Sequence, residues 1–528
     1  MANQDGLTAF GDFFNPARRR ILHGAAAVGA ASLLPSLSFS QSTLHGLPRH
    51  ALVIGNSRYL NSPLDNPAND AKAIAGELKA SGFDVTLQLD AGRDAMVNAI
   101  EAYGKLLASR KAVGLFYFAG HGAQLAWRNY LVPVDAVIKS MDDVPARAVE
   151  LNTLLQGLTK AKNPMNVIVL DACRDNPFGK GLPTEQKGLS QFDAPPGSLL
   201  AYATSPGNVA SDGSGSNGLY TEHLLRELKT PEAKIEDVFK RVRLAVRRRS
   251  NGEQIPWEST SLEEDFYFYP PKVINKISDG EATRRFEAEL AIWERIKGAT
   301  EPGSLEDYLR RYPSGLFSEV AQLRLDQVLA KSGERRIDIA SSEQNPYSKG
   351  TLRIDTRVKI GDRYSYREIE ADTDQEIKKY TLVVSQITDT EVFYGKGTFV
   401  TDLLGNFVKL SDGRVFTGAQ YFIPDYSVGK RWTSRHRVIS DKGDSYDTVY
   451  DFKVVAREKK TVPAGTFDAF RIEGSGWTRG REGVLQLQSR YWVAPEVRRY
   501  IEAFFWVKHA KGKVLENKTV QLLAFNQK

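Results

Sequence analysis

The sequence contains one cysteine, Cys173, among 528 residues, so no disulfide can form within it. It also lacks a long hydrophobic run: the apolar stretch 21–34 is 14 residues long and contains glycines, whereas a membrane-spanning helix needs about twenty apolar residues. No Gly-rich nucleotide fingerprint, Gly-x-Ser-x-Gly elbow or clustered metal-ligand motif was found. These absences disfavour a serine hydrolase, a nucleotide enzyme and a metalloenzyme.

The composition is that of a globular protein with several domains. Hydrophobic residues make up 41% and charged residues 26% of the chain. At about 100–200 residues per domain, the length predicts three domains. The formal net charge of +7 is spread along the chain, so we expect no nucleic-acid partner.

The first 40 residues have the pattern of an export signal. Arg18, Arg19 and Arg20 precede the short apolar stretch and resemble the twin-arginine motif, which a transport receptor reads. Small residues follow, so cleavage before Gln41 is expected. The sequence therefore predicts a signal peptide at 1–40 and a periplasmic or secreted protein. An unprocessed basic arm or a membrane tether are the alternatives.

Residues 46–270 alternate between strand-like and helix-like segments. Short apolar runs such as "GLFYFAG" and "NVIVLDA" end in small or polar residues, and the segments between them carry apolar residues at three- and four-residue spacing. This pattern predicts a mainly parallel sheet flanked by helices. Ligands of such sheets bind beyond the carboxyl ends of the strands, where His121 and Cys173 both fall.

The remaining sequence predicts two further units. Residues 278–332 indicate a short helical hairpin, interrupted by Pro302-Gly303 and Pro313, that resembles a single tetratricopeptide unit and serves as a spacer or docking element. Residues 350–528 alternate with a period of two between regular turn signals, which predicts an antiparallel all-β domain, either a sandwich or a barrel-like sheet. Its role is unassigned, and a protein partner bound through either unit is an alternative to simple packing.

The lone cysteine and His121 form a candidate catalytic pair. A cysteine attacks as a thiolate and needs a base or a positive neighbour, and His121 lies 52 residues upstream at the end of the preceding strand. The backbone amides of Gly122 and Cys173 are candidate oxyanion donors. Gly120 and Gly122 are expected to leave room for a substrate backbone. The alternative is that Cys173 is a small buried apolar residue.

The chain resembles the caspase family in the broad sense, which includes metacaspases, paracaspases and bacterial relatives. The matching segments are "LFYFAGHGAQ" (115–124), "VIVLDACRDN" (167–176) and "ALVIGNSRY" (51–59). "LLAYATSPG", "NGLYTEHLL" and "QIPWESTSL" look like later segments of that family. The resemblance implies a cysteine endopeptidase. It implies no cofactor and leaves a calcium requirement, as in many metacaspases, as an open alternative.

The resemblance also implies a preference for basic substrates. Animal caspases have Gln-Ala-Cys at the nucleophile, whereas this chain has Asp171-Ala172-Cys173. In the branches that cut after Arg or Lys, this aspartate lines the specificity pocket together with an Asp that corresponds to Asp70. Turn and helix-cap duties are the alternative for both residues.

These observations predict an exported caspase-like cysteine endopeptidase with a His121–Cys173 dyad that acts on peptides or proteins after Arg or Lys. One alternative is a catalytically silent caspase-fold scaffold, and another is a different hydrolase or a small-molecule binder. We expect Lys180 and Lys187 to lie in a loop where such enzymes can be cut. The basic side chains of 239–250 are expected to form a solvated helix face.

The export signal can be tested with a reporter fused to residues 1–45. We expect the fusion to cross the inner membrane, and the double substitution Arg18→Lys/Arg19→Lys to prevent this, because the transport receptor reads the two guanidinium groups. Cell fractionation measures the outcome, with a fusion carrying Arg20→Lys alone as the control. Unchanged export of the double variant would mean that the arginines are only a basic arm.

Overall fold

The protein is described by a computed structural model. The described residues are 43–173, 189–205, 215–272, 278–334, 345, 348, 351–353, 357–481 and 483–528. The predicted signal peptide at 1–40 lies outside them. Within them, no helix combines the length and apolar character that crossing a membrane requires.

The first unit is an eight-stranded sheet covered by helices. Its strands are β1 (Arg49–Gly55), β2 (Asp84–Leu89), β3 (Val113–Leu125), β4 (Arg128–Leu131), β5 (Val149–Glu150), β6 (Met165–Cys173), β7 (Ser198–Tyr202) and β8 (Trp257–Thr260). Its helices are α1 (Pro67–Ala80), α2 (Arg93–Arg110), α3 (Val144–Arg147), α4 (Leu151–Ala161), α5 (Leu219–Leu228) and α6 (Ile235–Arg249). Short 3-10 helices lie at Thr43–Gly46 and Met141–Asp143.

The strand order is β2-β1-β3-β6-β7-β8. The first five strands are parallel, β8 is antiparallel to β7, and β4 and β5 extend the sheet beyond the end of β3. The prediction of a mainly parallel sheet flanked by helices is confirmed, and the antiparallel strands make the sheet a mixed one.

The central strand β3 is buried on both faces, which explains its continuous apolar run. Every residue from Val113 to Ala123 is buried. On one face of the sheet, Leu115 and Tyr117 belong to a core that includes residues of α1, α5 and α6. On the other face, Phe116 and Phe118 belong to a core that includes residues of α2 and α4. This two-sided packing fixes the strand whose end carries His121.

The helical unit has three helices where the sequence predicts a pair. They are α7 (Asp279–Ile296), α8 (Pro302–Arg311) and α9 (Ser318–Lys331). Pro302 stands at the start of α8 and Pro313 follows its end, because proline is tolerated in the first helical turn and disrupts a helix interior. The Trp293 and Phe317 rings stack with centroids 5.6 Å apart, within a buried apolar cluster that includes residues of all three helices.

The basic face of α6 is covered by the helical unit, which corrects the expectation of a solvated face. Arg247 lies 2.5 Å from Asp326 and 2.7 Å from Glu334, and its side chain is 13% exposed. Lys240 pairs with Glu319 at 3.5 Å. The periodicity identified the polar face correctly, but the acidic partners that cover it lie more than 70 residues away in the sequence.

The last unit is antiparallel β structure throughout, as predicted. Its strands are β9 (Thr351–Arg353), β10 (Arg363–Glu370), β11 (Glu376–Ile387), β12 (Glu391–Tyr394), β13 (Phe399–Asp402), β14 (Phe407–Lys409), β15 (Val415–Thr417), β16 (Asp425–Ser427), β17 (Arg431–Ile439), β18 (Ser445–Val462), β19 (Gly465–Gly480), β20 (Gly483–Ala494), β21 (Arg499–His509) and β22 (Val514–Asn526). A short 3-10 helix lies at Pro495–Val497.

Of the two alternatives for this unit, the structure has the barrel. Twelve strands close into one sheet, and β9 and β16 form a separate pair. Stacked aromatic rings fill the core, among them Tyr450 and Phe452 at 4.7 Å. Gly474 pairs with Phe452 across two strands, and a Cβ at Gly474 would lie 2.6 Å from the Phe452 ring. A glycine at this position therefore makes room for the rings.

His436 in the barrel is a structural residue. Its ring is 2% exposed, and its nitrogens lie 3.0 Å from Ser434 Oγ and 3.1 Å from the Tyr421 hydroxyl. Burial lowers the pKa of His436 to about 3, so the ring is neutral at physiological pH.

The barrel also contacts the first unit. The Ser427 hydroxyl donates to the carbonyl oxygen of Thr260 at the end of β8 at 3.1 Å, and Lys453 pairs with Glu263 at 3.2 Å. A cleft of about 1860 Å³ lies where the three units meet. The helical unit joins the barrel through Arg324, which lies 2.8 Å from Asp389.

The ion pairs of Arg247 should stabilise the docking of the helical unit. We expect Arg247→Gln to lower the free energy of unfolding by about 1–3 kcal/mol, because Asp326 and Glu334 then face each other without the cation between them. Urea unfolding followed by circular dichroism measures the change. Arg284→Gln, which breaks an exposed pair with Glu281, is the control and should cost less than about 0.5 kcal/mol. Equal costs would contradict the docking role.

Candidate active site

The strands β3 and β6 bring His121 and Cys173 side by side. Their parallel register runs without a shift from Val113 opposite Met165 to His121 opposite Cys173. Paired strands lie about 4.8 Å apart, so the two backbone positions are immediate neighbours at the carboxyl end of the sheet. Of Cys173, the structure describes the strand position, and its thiol lies outside the described part.

The ring of His121 is held by the loop between β1 and α1. Its Nε2 lies 2.7 Å from the carbonyl oxygen of Ser62, and the residue is 3% exposed. A carbonyl oxygen only accepts hydrogen bonds, so Nε2 must carry the hydrogen. In the neutral ring the lone pair is then on Nδ1. The loop thus selects the tautomer in which Nδ1 is the base.

Tyr59, from the same loop, fixes the backbone of His121. The His121 amide donates to the Tyr59 hydroxyl at 2.9 Å, and that hydroxyl donates to the carbonyl oxygen of Val132 at 3.0 Å. The Tyr59 and His121 rings are tilted by 51° with centroids 4.4 Å apart. One side chain therefore positions both the main chain and the ring of the histidine.

Atoms of other protein residues lie close to the two glycines that flank His121. Gly120 has φ +151°, and a Cβ there would lie 2.5 Å from the Tyr59 hydroxyl. A Cβ at Gly122 would lie 3.0 Å from Leu189 and 3.1 Å from Ala172. Tyr59 and Leu189 therefore fill the space on the side where a Cβ would point, and room for a substrate backbone beside these glycines stays a prediction. Gly122 pairs with Leu131 in the ladder between β3 and β4, and its amide as an oxyanion donor stays a prediction.

Asp171 precedes Cys173 by two positions on β6 and is bound by hydroxyl groups. Thr221 Oγ1 donates to its Oδ2 at 2.6 Å, and the Tyr117 hydroxyl lies 3.4 Å from the same oxygen. The Tyr117 and Thr221 hydroxyls are 2.6 Å apart. Since the Thr221 proton goes to Asp171, the Tyr117 hydroxyl donates to Thr221, and a directed chain of hydrogen bonds ends on the carboxylate.

Asp70 lies in the first turn of α1 and is 3% exposed. Its Oδ1 accepts hydrogen bonds from Asn217 Nδ2 at 2.8 Å and from the Gly218 amide at 3.0 Å. Gly218 is the N-cap of α5, so Asp70 has the capping duty that the sequence left open, although it caps a distant helix.

Both aspartates lie close enough to Tyr117 for their charges to act on its hydroxyl. Burial, and after it the negative charges of Asp171 and Asp70, raise the pKa of Tyr117 well above its usual value. Both carboxylates also contact residues of one short segment, Asn217 and Gly218 for Asp70 and Thr221 for Asp171. Asp70 and Asp171 therefore bind neighbouring residues of the same segment, and a substrate pocket shared by the two acids stays a prediction.

Sequence reasoning missed the residues that hold this site in place: Tyr59, the Ser62 carbonyl, Tyr117, Asn217 and Thr221. A tyrosine within the apolar run of β3 was a detectable signal for Tyr117, since a buried hydroxyl needs a partner. Lys180, Lys187 and residues 211–214 lie outside the described residues. In the described ranges, no cluster of three or more His, Cys, Asp or Glu side chains is arranged to hold a metal ion.

Comparisons with known proteins identify the first unit. Residues 48–267 match the model of the peptidase family described as "Caspase domain". The mucosa-associated lymphoid tissue lymphoma translocation protein 1 of Homo sapiens and its homolog in Mus musculus are each 28% identical to this chain over 179 residues. The alignment covers 33% of this chain and 21% of each relative, so the chain spans about a fifth of their length. The prediction of a caspase-like domain is confirmed.

The close approach at Gly120 can be tested by adding a methyl group. We expect Gly120→Ala to lower the free energy of unfolding by about 2–4 kcal/mol, because the new Cβ is strained at positive φ and collides with the Tyr59 hydroxyl. Gly104→Ala in α2 is the control: apart from its chain neighbours and the backbone of its own helix, no atom of the described residues lies within 4 Å of its Cβ position, and alanine should stabilise the helix by about 0.5–1 kcal/mol. Urea denaturation measures both. A Gly120→Ala variant as stable as the wild type would refute the contact.

Proposed function

We propose that the protein is a cysteine endopeptidase in which His121 and Cys173 form the catalytic dyad. The observation that carries the proposal is the register of β3 and β6, which pairs the two residues at the end of the sheet. The hydrogen bond from Nε2 to the Ser62 carbonyl supports the role of His121 as a base through Nδ1. The caspase-domain match over 48–267 supports the reaction class.

The proposed mechanism has two steps. Nδ1 of His121 takes the thiol proton of Cys173, and the thiolate attacks the carbonyl carbon of the scissile bond. The oxyanion that forms is stabilised by the amides of Gly122 and Cys173. The C–N bond then breaks, and His121 gives its proton to the leaving amine. In the second step, water attacks the acyl-enzyme, His121 takes a proton from the water, and the thiol is restored.

The proposed substrate has Arg or Lys before the scissile bond, with Asp171 and Asp70 as the pocket acids. Two unit charges about 4 Å apart interact by roughly 4 kcal/mol at an effective dielectric near 20. Desolvation of the substrate charge offsets much of this, which leaves about 2–3 kcal/mol of discrimination, or roughly 30- to 150-fold. Arginine should be preferred over lysine where its planar group can engage both carboxylates.

We also propose that this peptidase acts outside the cytoplasm, since residues 1–40 have the pattern of a twin-arginine signal. The helical unit and the barrel would then be accessory units of an exported enzyme. The catalytically silent scaffold differs from this proposal in one respect: it binds partners but does not turn over a peptide.

A set of fluorogenic peptides that differ only in the residue before the cut tests the proposal. We expect cleavage after Arg and Lys to exceed cleavage after Asp or Leu by roughly 30-fold or more, for the electrostatic reason given above. Cys173→Ala should abolish turnover with an unchanged circular dichroism spectrum, because the nucleophile is lost. Near-normal turnover by Cys173→Ala would refute the mechanism, and no turnover by the wild type would favour the scaffold.

The same assay separates the pocket from the nucleophile. Asp171→Asn and Asp70→Asn should each reduce cleavage after Arg, while an alkylating reagent still labels Cys173. A wild-type preference for Asp before the cut would place the enzyme with the animal caspases and overturn the pocket assignment. A preference for apolar residues would leave Asp70 and Asp171 as structural caps.

A further inference from the structure

The segment from Asn217 to Thr221 contacts both acids of the proposed pocket. Asn217 Nδ2 and the Gly218 amide donate to Asp70, and the Thr221 hydroxyl donates to Asp171. Gly218 is the N-cap of α5 and Thr221 lies in its first turn, so the helix sets the spacing of these two residues, and Asn217 directly precedes the N-cap. Asp70 belongs to α1 and Asp171 to β6, and the two residues are 101 positions apart in the sequence. We call this segment, 217–221, the acid bracket.

Two carboxylates that converge on one pocket need such support. Like charges in a poorly solvated site repel each other. Rotation about the side-chain bonds of either aspartate would turn its carboxylate away and relieve this repulsion. A hydrogen bond to a charged oxygen opposes that rotation, and it is stronger than one between neutral groups. The bracket supplies a side-chain donor to each acid.

A chain of two hydroxyl groups, from Tyr117 and Thr221, holds Asp171. Tyr117 is fully buried, and its hydroxyl donates to Thr221, which in turn donates to Asp171. Successive hydrogen bonds in a buried site polarise one another, so the outer hydroxyl supports the inner one. Thr221 is itself fully buried, so it is held in place by packing as well.

We propose that Thr221 and Asn217 are positioning residues for substrate specificity: the acid bracket holds Asp171 and Asp70 in the arrangement that recognises a planar cationic side chain. This rests on the proposed function. It assigns to two uncharged residues a part of the selectivity for arginine. It also predicts that the selectivity depends on the Thr221 hydroxyl and not on the shape of its side chain.

The experiment uses the full-length protein and compares its cleavage of two peptides. One ends in arginine before the cut and the other in citrulline, which has the same shape without the charge. The measured quantity is the ratio of kcat/KM for the arginine peptide to kcat/KM for the citrulline peptide. The variants are Thr221→Val, which keeps the side-chain shape, Thr221→Ser, which keeps the hydroxyl, and Tyr117→Phe, which removes the outer link of the chain.

We expect Thr221→Val to lower the ratio roughly tenfold, the size of effect for a lost hydrogen bond to a charged group. The loss should lie mainly in KM, since the pocket binds the side chain in both the ground state and the transition state. Thr221→Ser should restore most of the ratio, and Tyr117→Phe should lower it less than Thr221→Val does. Asn217→Ala should lower it through Asp70.

Thr448→Val is the matched control. It removes a buried threonine hydroxyl in the barrel, where Thr448 bonds to Thr478 at 2.9 Å, and it should leave the ratio unchanged. Both peptides are tested with the same preparation of each variant, so the ratio does not depend on the fraction of folded enzyme, and circular dichroism identifies a variant that misfolds. If Thr221→Val misfolds, the comparison of Tyr117→Phe and Asn217→Ala with Thr448→Val decides.

The outcomes separate the two proposals. A wild type that cuts both peptides equally well refutes the basic-residue specificity itself. A wild type that prefers arginine, with an unchanged ratio in Thr221→Val, refutes only the acid bracket. An equal loss in Thr221→Ser and Thr221→Val would also refute it, because the effect would then come from packing and not from the hydroxyl.

Discussion

The parallel register between β3 and β6 is the constraint on which the candidate site depends. Nine consecutive pairs without a bulge end with His121 beside Cys173. A slip of one residue would turn the side chains of one strand to the opposite face of the sheet and separate the pair. Burial of β3 on both faces makes such a slip costly, because its apolar side chains fit two different cores. The packing of the apolar side chains of β3 thus keeps His121 opposite Cys173.

The sheet brings the candidate residues together, and the surrounding loops and helix orient them. The loop after β1 gives Tyr59 to the backbone of His121 and the Ser62 carbonyl to its ring. The start of α5 contacts Asp70 and Asp171. The helices of a doubly covered sheet therefore do more than shield it. Their ends provide the hydrogen bonds that hold polar groups in place at its edge.

The sequence was informative where a signal is local. Apolar runs that end in small or polar residues identified the strands and placed His121 and Cys173 at their ends, because a buried strand must be apolar along its length. The supporting contacts are long-range: Ser62 is 59 residues from His121, and Thr221 is 50 residues from Asp171. The residues around a hydroxyl or carbonyl group carry no sequence pattern that indicates which distant residue it will bond to. The basic face of α6 was misread for the same reason, since periodicity identifies a polar face but not what covers it.

The position of β8 has a consequence for how copies of this chain can associate. It is the last strand of the sheet, and an exposed last strand offers unpaired backbone groups to a strand of another molecule. Here the barrel of the same chain contacts the end of β8, where the Ser427 hydroxyl donates a hydrogen bond to the carbonyl oxygen of Thr260. A second copy that paired with this end of β8 would have to displace that hydrogen bond. Contact with the barrel therefore makes the end of β8 less available to a strand of another molecule.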